Sequence, residues 1–476
     1  MPSFIVFIFL AIYVYTLVSI ISVLLLENRN PAKSLSWALV LLFIPIIGLL
    51  FYLVLGQNLR KKKLISKKSI KRVTDRPVAS FDISKLDPTL IDNNQINLIK
   101  MLYKNSEAAG YAFNKIEVLS NGESTFDAVF EAISKAKDHV HIEFFIFADD
   151  KISNQLRELL ILKAKEGVRV RMIYDYWGSF DLSKRYLKSL RDAGVFVQSF
   201  LPFRFRFHFS SSKINYRNHR KLVIIDGKIG FTGGLNVADR YIYGDFLGRW
   251  RDTFISIEGS AVHGLQLLFL VDWYFVERKM LDDPKYFPEP QKFDDNLVQI
   301  VSSGPDSDWE AIMQGIASAI MSATKYVYIH SPYYMPTDVL STCIEMAALS
   351  GVDIRLIIPI KSDSSFSYAS TSSYLEQALE AGVRVFRYHK GFLHSKAIVI
   401  DDFISIVGSC NIDERSFTQN FEANAFIYEK KTALKLKQLF MKDIDNCEEL
   451  TLEVWTKRKK RQRLKESFAR LFSPLM

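Results

Sequence analysis

HRKLVIIDGKIGFTGGLNVADR, residues 219–240, and HSKAIVIDDFISIVGSCNIDER, residues 394–415, are two copies of one pattern. Histidine, lysine and aspartate recur at the same offsets, as His219, Lys221 and Asp226 and as His394, Lys396 and Asp401. The match continues downstream: Gly233 with Gly408, Gly234 with Ser409, Asn236 with Asn411, Arg240 with Arg415. Each copy reads as a strand (222–225 and 397–400), a turn, and a second short apolar run closed by glycine. Two residues apart on an extended strand, a histidine and a lysine point to the same face. The repeat therefore predicts a duplicated fold unit, each half supplying one imidazole and one ammonium. Two such strands meeting at a pseudo-twofold axis would surround one pocket. That arrangement suits an anionic tetrahedral centre, a phosphodiester above all.

Working outward, further pairs keep the same order. A helical run and an apolar strand at 126–147 match another at 311–334. Gly167-Val168 pairs with Gly351-Val352, and Gly194-Val195 with Gly382-Val383. Each glycine closes a helix and the valine opens a buried strand. Alternating helices and apolar strands define an α/β fold, two duplicated units each with a mixed sheet flanked by helices. The first unit is expected over 111–280 and the second over 301–440. A Pro-rich linker covers 281–300, and a basic amphipathic tail covers 441–476.

The chain has 476 residues, a net charge of +10 and a pI near 9.2, which favours anionic partners. Its three cysteines, Cys343, Cys410 and Cys447, are too widely spaced for a disulfide framework or a zinc motif, so a reducing compartment is expected. The N-terminus chooses between lipid and nucleic acid. Residues 4–26 and 35–55 carry no charge. Each is long enough to cross a hydrocarbon core of about 30 Å as a helix. A cleaved signal peptide would show a basic start and a shorter apolar run. Residues 1–56 thus predict a two-helix transmembrane hairpin, and 57–110 a basic linker. The loop between the helices has two basic residues, Arg29 and Lys33, whereas eight lie between Arg60 and Arg72. By the positive-inside bias the catalytic domain stays on the cytoplasmic side of a multi-pass membrane protein.

One asymmetry breaks the repeat. From the Gly-Val glycine to the histidine is 219 − 194 = 25 residues in the first unit and 394 − 382 = 12 in the second. The excess falls on a segment where Phe203, Phe205, Phe207 and Phe209 alternate with Arg204, Arg206 and His208. Such alternation fits an amphipathic edge hairpin or a lipid-facing flap beside the site. If it is a flap, deleting 203–209 impairs turnover on bilayers more than on a soluble short-chain diester. Equal losses on both substrates would leave only a packing role. In the tail, KRKKRQR precedes Leu464, Phe468, Leu471 and Phe472 on one helical face, either a docking helix or an interfacial one.

The two His/Lys motifs with Gly-Gly/Ser-x-Asn behind them resemble the phospholipase D superfamily over roughly 110–430. The N-terminal NPAKSLSWALVLLFIPIIGLLFYLVLGQN, the PYYMP turn at 332–336 and the terminal RLFSPLM make the whole chain similar to the bacterial cardiolipin synthases. The resemblance implies two phospholipase D-like units and a phosphatidyltransferase of the bacterial plasma membrane. It would make cardiolipin and glycerol from two phosphatidylglycerols, using no cofactor and no metal. It also implies that His219 attacks phosphorus and His394 protonates the leaving glycerol; the residues alone leave that order open. Physically, a neutral imidazole can form a phosphohistidine and an imidazolium can release an alkoxide as alcohol. Lys221 and Lys396 would neutralise the non-bridging oxygens, with Asn236 and Asn411 as further donors. Gly234 and Ser409 would let backbone approach the phosphate. Asp226 and Asp401 would orient the strands, or serve only the turns they open. Glu143 and His330, on matching strands, are candidates for the pocket floor; His139, His141 and His263 read as structural. Rival readings are a phospholipase D-type hydrolase, a nuclease on the same core, and a silent membrane scaffold. The hairpin argues against a nuclease, so no nucleic-acid partner is expected. The intact motifs argue against the scaffold. A homo-oligomer through packed hairpins is compatible with the sequence.

Overall fold

The structure, a computed structural model, describes residues 2–26, 31–44, 47–48, 52, 93–202 and 215–473. They fall into two compact units, one N-terminal and one a body that includes 93–202 and 217–473. Most of the expected basic linker, and Phe203, Phe205, Phe207 and Phe209, lie outside the described residues.

In the N-terminal unit, Pro2–Leu26 is one helix of 25 residues with no charged side chain. A second helix begins at Pro31, four residues ahead of expectation, and is assigned as far as Phe43. The rings of Trp37 and Tyr52 meet edge-on at 5.4 Å. Side chains of the first helix are described over only part of its length. Among the described residues no helix is both long and apolar enough to cross a membrane.

The body is built on two sheets, of seven and ten strands, that share one seven-strand order. The first runs in the order Lys115–Leu119, Phe254–Glu258, Ile229–Gly233, Leu222–Ile225, His139–Phe144, Arg169–Asp175, Phe196–Phe200. The second repeats it as Leu297–Ser303, Asn420–Tyr428, Ile404–Gly408, Ala397–Ile400, Tyr326–His330, Asp353–Pro359, Arg384–Tyr388. In both, the last three strands are parallel to one another and the others pair antiparallel, so each sheet is mixed. The central strands are buried on both faces. Val223, Ile225, Val140 and Ile142 belong to one core, and Ile398, Ile400, Val327 and Ile329 to the other.

Three boundaries move. Leu297–Ser303, partly inside the stretch read as a linker, is the first strand of the second sheet. Gly110–Ala112 pairs with it and so belongs to the second unit, although it precedes the first. Within the tail, Cys447–Leu450 closes the far edge of that sheet. Gly110–Ala112 and Cys447–Leu450 are short edge strands without a counterpart in the first sheet, so the repeat carries no signal for them.

The hairpin turns explain the two aspartates. Asp226 and Gly227 have φ of 52° and 64°, and Asp401 and Asp402 have 51° and 58°. Each turn is closed by an i to i+3 hydrogen bond, from Lys228 N to Ile225 O (2.9 Å) and from Phe403 N to Ile400 O (3.1 Å). Two successive positive φ values make a type I′ turn, which Asp, Asn and Gly tolerate.

Candidate active site

Each histidine follows a short strand that pairs with the other half of the molecule, of two residues before His219 and three before His394. Arg217–Asn218 pairs in parallel with Asn420–Phe421, and the end of Gly391–Leu393 pairs in parallel with the segment ending at Arg251. The backbone N–H of His219 donates to the Phe421 carbonyl (2.9 Å), and that of His394 to the Arg251 carbonyl (2.8 Å). The next residue on each partner segment is an acid. His219 Nδ1 lies 2.9 Å from Glu422 Oε1, and His394 Nδ1 lies 2.6 Å from Asp252 Oδ2. The two units thus exchange carboxylates: each imidazole comes from one repeat and its carboxylate from the other. All four side chains are buried.

Asp252 and Glu422 occupy matching places in their sheets, since Phe254 faces Gly233 and Asn424 faces Gly408. Counting along the sequence hides them. Asp252 is 252 − 219 = 33 residues past its own unit's histidine, whereas Glu422 is 422 − 394 = 28 past. The signal that could have found them is the pair of segments WRDTF and NFEAN, each with an acid at its centre.

Gly234 and Ser409, expected to let backbone approach the phosphate, lie directly against these carboxylates. A Cβ on Gly234 would stand 2.2 Å from Asp252 Oδ1. Ser409 Oγ donates to Glu422 Oε2 and accepts from the Ala423 N–H at 3.0 Å. Asn236 is also engaged locally: its Oδ1 accepts from Ile146 N (3.2 Å) and its Nδ2 donates to the Tyr241 hydroxyl (3.1 Å). Asn411 is buried, and its Oδ1 has no hydrogen-bond partner among the described residues.

Lys221 and Lys396 sit beside their histidines as the spacing requires. Lys221 Nζ donates to the His219 carbonyl; Lys396 Nζ donates to the His394 carbonyl and lies 2.9 Å from His394 Nδ1. Burial, reinforced by each other's charge in the case of Lys221, brings Lys221 down to about 7; burial brings Lys396 down to about 8. Burial also lowers both histidines, His219 to about 4, and the two ammoniums push the same way. The carboxylates differ. Burial holds Asp252 up at about 6 against the pull of Lys396. Burial would raise Glu422 too, but His219, Lys221 and the Ser409 hydroxyl bring it below its usual range. The free site therefore holds two neutral imidazoles, each with its Nδ1 facing a carboxylate and Nε2 left for chemistry.

Aromatic rings flank both histidines. Phe145 meets His219 edge-on at 5.0 Å, and Trp250 lies 5.1 Å from His394. Arg240 stacks over Trp250 at 4.6 Å, while Arg415 faces the charges of Asp413 and Asp175. Both arginines thus have protein partners.

Asp226 and Asp401, grouped with the catalytic residues but also expected as turn residues, are not at the site and serve the turns. Each stands seven residues past its histidine, across a strand rising about 3.3 Å per residue. Asp226 accepts from the backbone N–H groups of Lys137, Asp138 and His139, at 2.8, 2.8 and 2.9 Å. Asp401 does the same for Thr324, Lys325 and Tyr326, at 2.6, 2.9 and 2.8 Å. Both tie the start of the neighbouring strand to the turn. Asp401→Ala removes three such bonds and strains a left-handed residue, so it should cost about 2–3 kcal/mol of stability. A clear fall in melting temperature with unchanged turnover per folded molecule is expected; lost turnover at full stability would contradict the assignment.

Glu143 and His330 do occupy matching strand positions, opposite Leu222 and Ala397. Neither is in hydrogen-bonding contact with a motif histidine. Glu143 accepts from Asn218, the residue before His219, and His330 lies 3.2 Å from Asp443. His139 and His141 are buried against Gln266 and His263 bonds to the Pro288 carbonyl, in keeping with structural roles.

Two buried histidines, each oriented by a carboxylate from the opposite repeat and flanked by a lysine, define a phospholipase D-like protein whose two units share one site. The family model for the cardiolipin synthase, phospholipase D-like domain matches twice, over 129–247 and 316–444, and one for a phospholipase D-nuclease N-terminal segment matches 11–57. The cardiolipin synthase of Geobacillus sp. (strain WCH70) is 40% identical over 97% of this chain and 92% of its own. The major cardiolipin synthase of Bacillus subtilis (strain 168) is 40% identical over 98% of each chain. The chain belongs to the cardiolipin synthase family of phospholipase D-like proteins. Among solved structures, the fold is similar to phosphatidylserine synthase of Haemophilus influenzae Rd KW20, with a TM-score of 0.61 at 14% identity, covering 80% of this chain and 100% of that one.

Proposed function

We propose that the protein is a membrane-anchored phosphatidyltransferase that makes cardiolipin and glycerol from two molecules of phosphatidylglycerol. The observation that carries the reading is the reciprocal pair of histidine–carboxylate contacts closing on two buried lysines. Family membership supports the choice of lipid. In the first step His219 Nε2 attacks phosphorus, and the bond from phosphorus to the head-group glycerol breaks. The departing oxygen takes a proton from His394, leaving phosphatidyl-His219. In the second step His394 accepts the proton of a hydroxyl on the second phosphatidylglycerol. That oxygen attacks phosphorus, the P–N bond breaks, and His219 is restored. One phosphodiester replaces another, so no energy source is needed. The substrate's negative charge raises the pKa of the lysines and of His394, keeping the lysines charged and letting His394 carry its proton. Glu422 and Asp252 stabilise each imidazole when it turns positive.

The uncharged helix Pro2–Leu26 supports an N-terminal membrane anchor, and the basic run after residue 59 supports a body on the cytoplasmic side. Protease added to sealed inside-out vesicles should then cut the body; protection there would reverse the topology.

The deciding assay uses purified full-length protein in vesicles with labelled phosphatidylglycerol, with products resolved by mass. Cardiolipin and free glycerol are expected, and both vanish in His219→Ala. Phosphatidic acid without cardiolipin would make the protein a hydrolase instead.

The pKa shifts fix a pH dependence. Asp252 must be ionised to hold His394, and burial places its pKa at about 6, so kcat/KM rises through that range. Lys221 and Lys396 must be protonated, and they lose their charge as pH rises past about 7 and about 8 in the free enzyme. A bell between these limbs is expected. A flat profile from about pH 5 to about pH 9 would sink the assignment.

A further inference from the structure

The last long helix, Lys460–Arg470, is fixed to the body along one edge. Glu466 and Ala469 are buried there. Arg458, just ahead of the helix, pairs with Glu376 at 2.9 Å and with Glu466 at 3.1 Å. Beyond it, Ser473 shares a 2.7 Å hydrogen bond with Tyr374. The opposite edge is apolar and open. Leu464, Phe468 and Leu471 are 72%, 58% and 74% exposed, and offsets of four and three residues align them in one stripe. Lys460, Arg461 and Lys465 are exposed on the same helix. From 457 to 473 the only acid is Glu466, which faces the body.

We propose that this face docks on the anionic surface of a bilayer, its apolar stripe entering the boundary between head groups and acyl chains. Charge selects the occupant, because an outward surface with three bases and no acid complements lipid phosphates. A second copy of the chain would bring the same bases to the contact. A three-residue stripe is also far smaller than the roughly 800 Å² per partner of a stable protein interface. Position agrees. The Phe472 ring lies 5.8 Å from that of Phe366, at the start of the helix Ser365–Glu380. Asp363, three residues earlier, accepts from the Tyr333 hydroxyl at 2.8 Å, and its charge acts on Lys396. The end of the basic helix therefore stands beside the mouth of the second unit. An anchor there holds the pocket at the depth of lipid phosphates. The inference deepens the phosphatidyltransferase reading, on which the choice of a lipid partner rests.

The test is photocrosslinking of the full-length protein in vesicles of phosphatidylglycerol and phosphatidylcholine. The photoreactive p-benzoylphenylalanine is placed at Phe468 or, as control, at Leu349. Leu349 is 73% exposed and ends the helix that leads into the start of the strand Asp353–Pro359, away from the catalytic ends. Lipid adducts are expected at Phe468 and not at Leu349. Joint reversal by Lys460→Glu, Arg461→Glu and Lys465→Glu should lower the adduct yield by about tenfold. Equal yields at both positions, or crosslinks to a second copy of the chain, would overturn the proposal. The readout needs no turnover. Cardiolipin synthesis without an adduct at Phe468 overturns the docking and leaves the reaction standing. An adduct without synthesis supports the docking and overturns the reaction.

Discussion

Replacing His219 with alanine abolishes transfer, lowering cardiolipin formation by roughly 10⁴-fold or more, and His394→Ala does so to a similar degree. The two losses have different causes, and the choice of donor separates them. A phosphodiester with an activated leaving group, such as a nitrophenolate, departs without a proton. With that donor the His394→Ala protein still releases nitrophenolate in the first step and accumulates a phosphorylated His219. The His219→Ala protein releases none. The reverse pattern would exchange the two roles without touching the rest of the site. The asymmetry around the histidines favours the order proposed. Glu422 is ionised and faces His219, which suits a nucleophile that becomes cationic on attack. Asp252, held up at about 6 by burial, faces His394.

The sequence made the duplicated architecture legible because its signal is local. A histidine and a lysine two apart, a four-residue apolar strand and a turn at Asp226 or Asp401 are each set by neighbours in the chain, and both copies agree. The correspondence of Glu143 with His330 followed from the same register. What stayed hidden depends on contacts distant in sequence. Glu422 reaches His219 across 203 residues and Asp252 reaches His394 across 142. A loop length that differs between the repeats removed the matched offset that would have exposed the two acids. Gly234 was legible as a close approach, but only the neighbouring strand shows that Asp252 fills the space. Asp226 and Asp401 drew attention for their invariance between copies. That invariance reports the demand of a type I′ turn and three backbone donors, a folding requirement as strict as a catalytic one.

Asp252→Asn and Glu422→Gln keep the shape of each contact while removing the charge. Each should lower kcat by roughly 10²–10⁴-fold with little change in melting temperature, because an amide can present its N–H to Nδ1 and hold the wrong tautomer. Asp252→Asn added to His394→Ala should cost little beyond His394→Ala alone, since the acid acts only through that imidazole. Combined with Glu422→Gln it should fall well below either single change, because the two pairs serve different proton movements. Asp252→Asn should also flatten the acid limb of the pH profile, as the group that titrates at about 6 is gone. Wild-type turnover in Asp252→Asn, or an acid limb that survives it, would separate the carboxylate from catalysis. The exchange carries a wider consequence. A half-molecule holding residues 93–280 contains His219 but lacks Glu422, and the other half contains His394 but lacks Asp252. Neither repeat can orient its own histidine, so the proton chemistry exists only where both units close on one pocket.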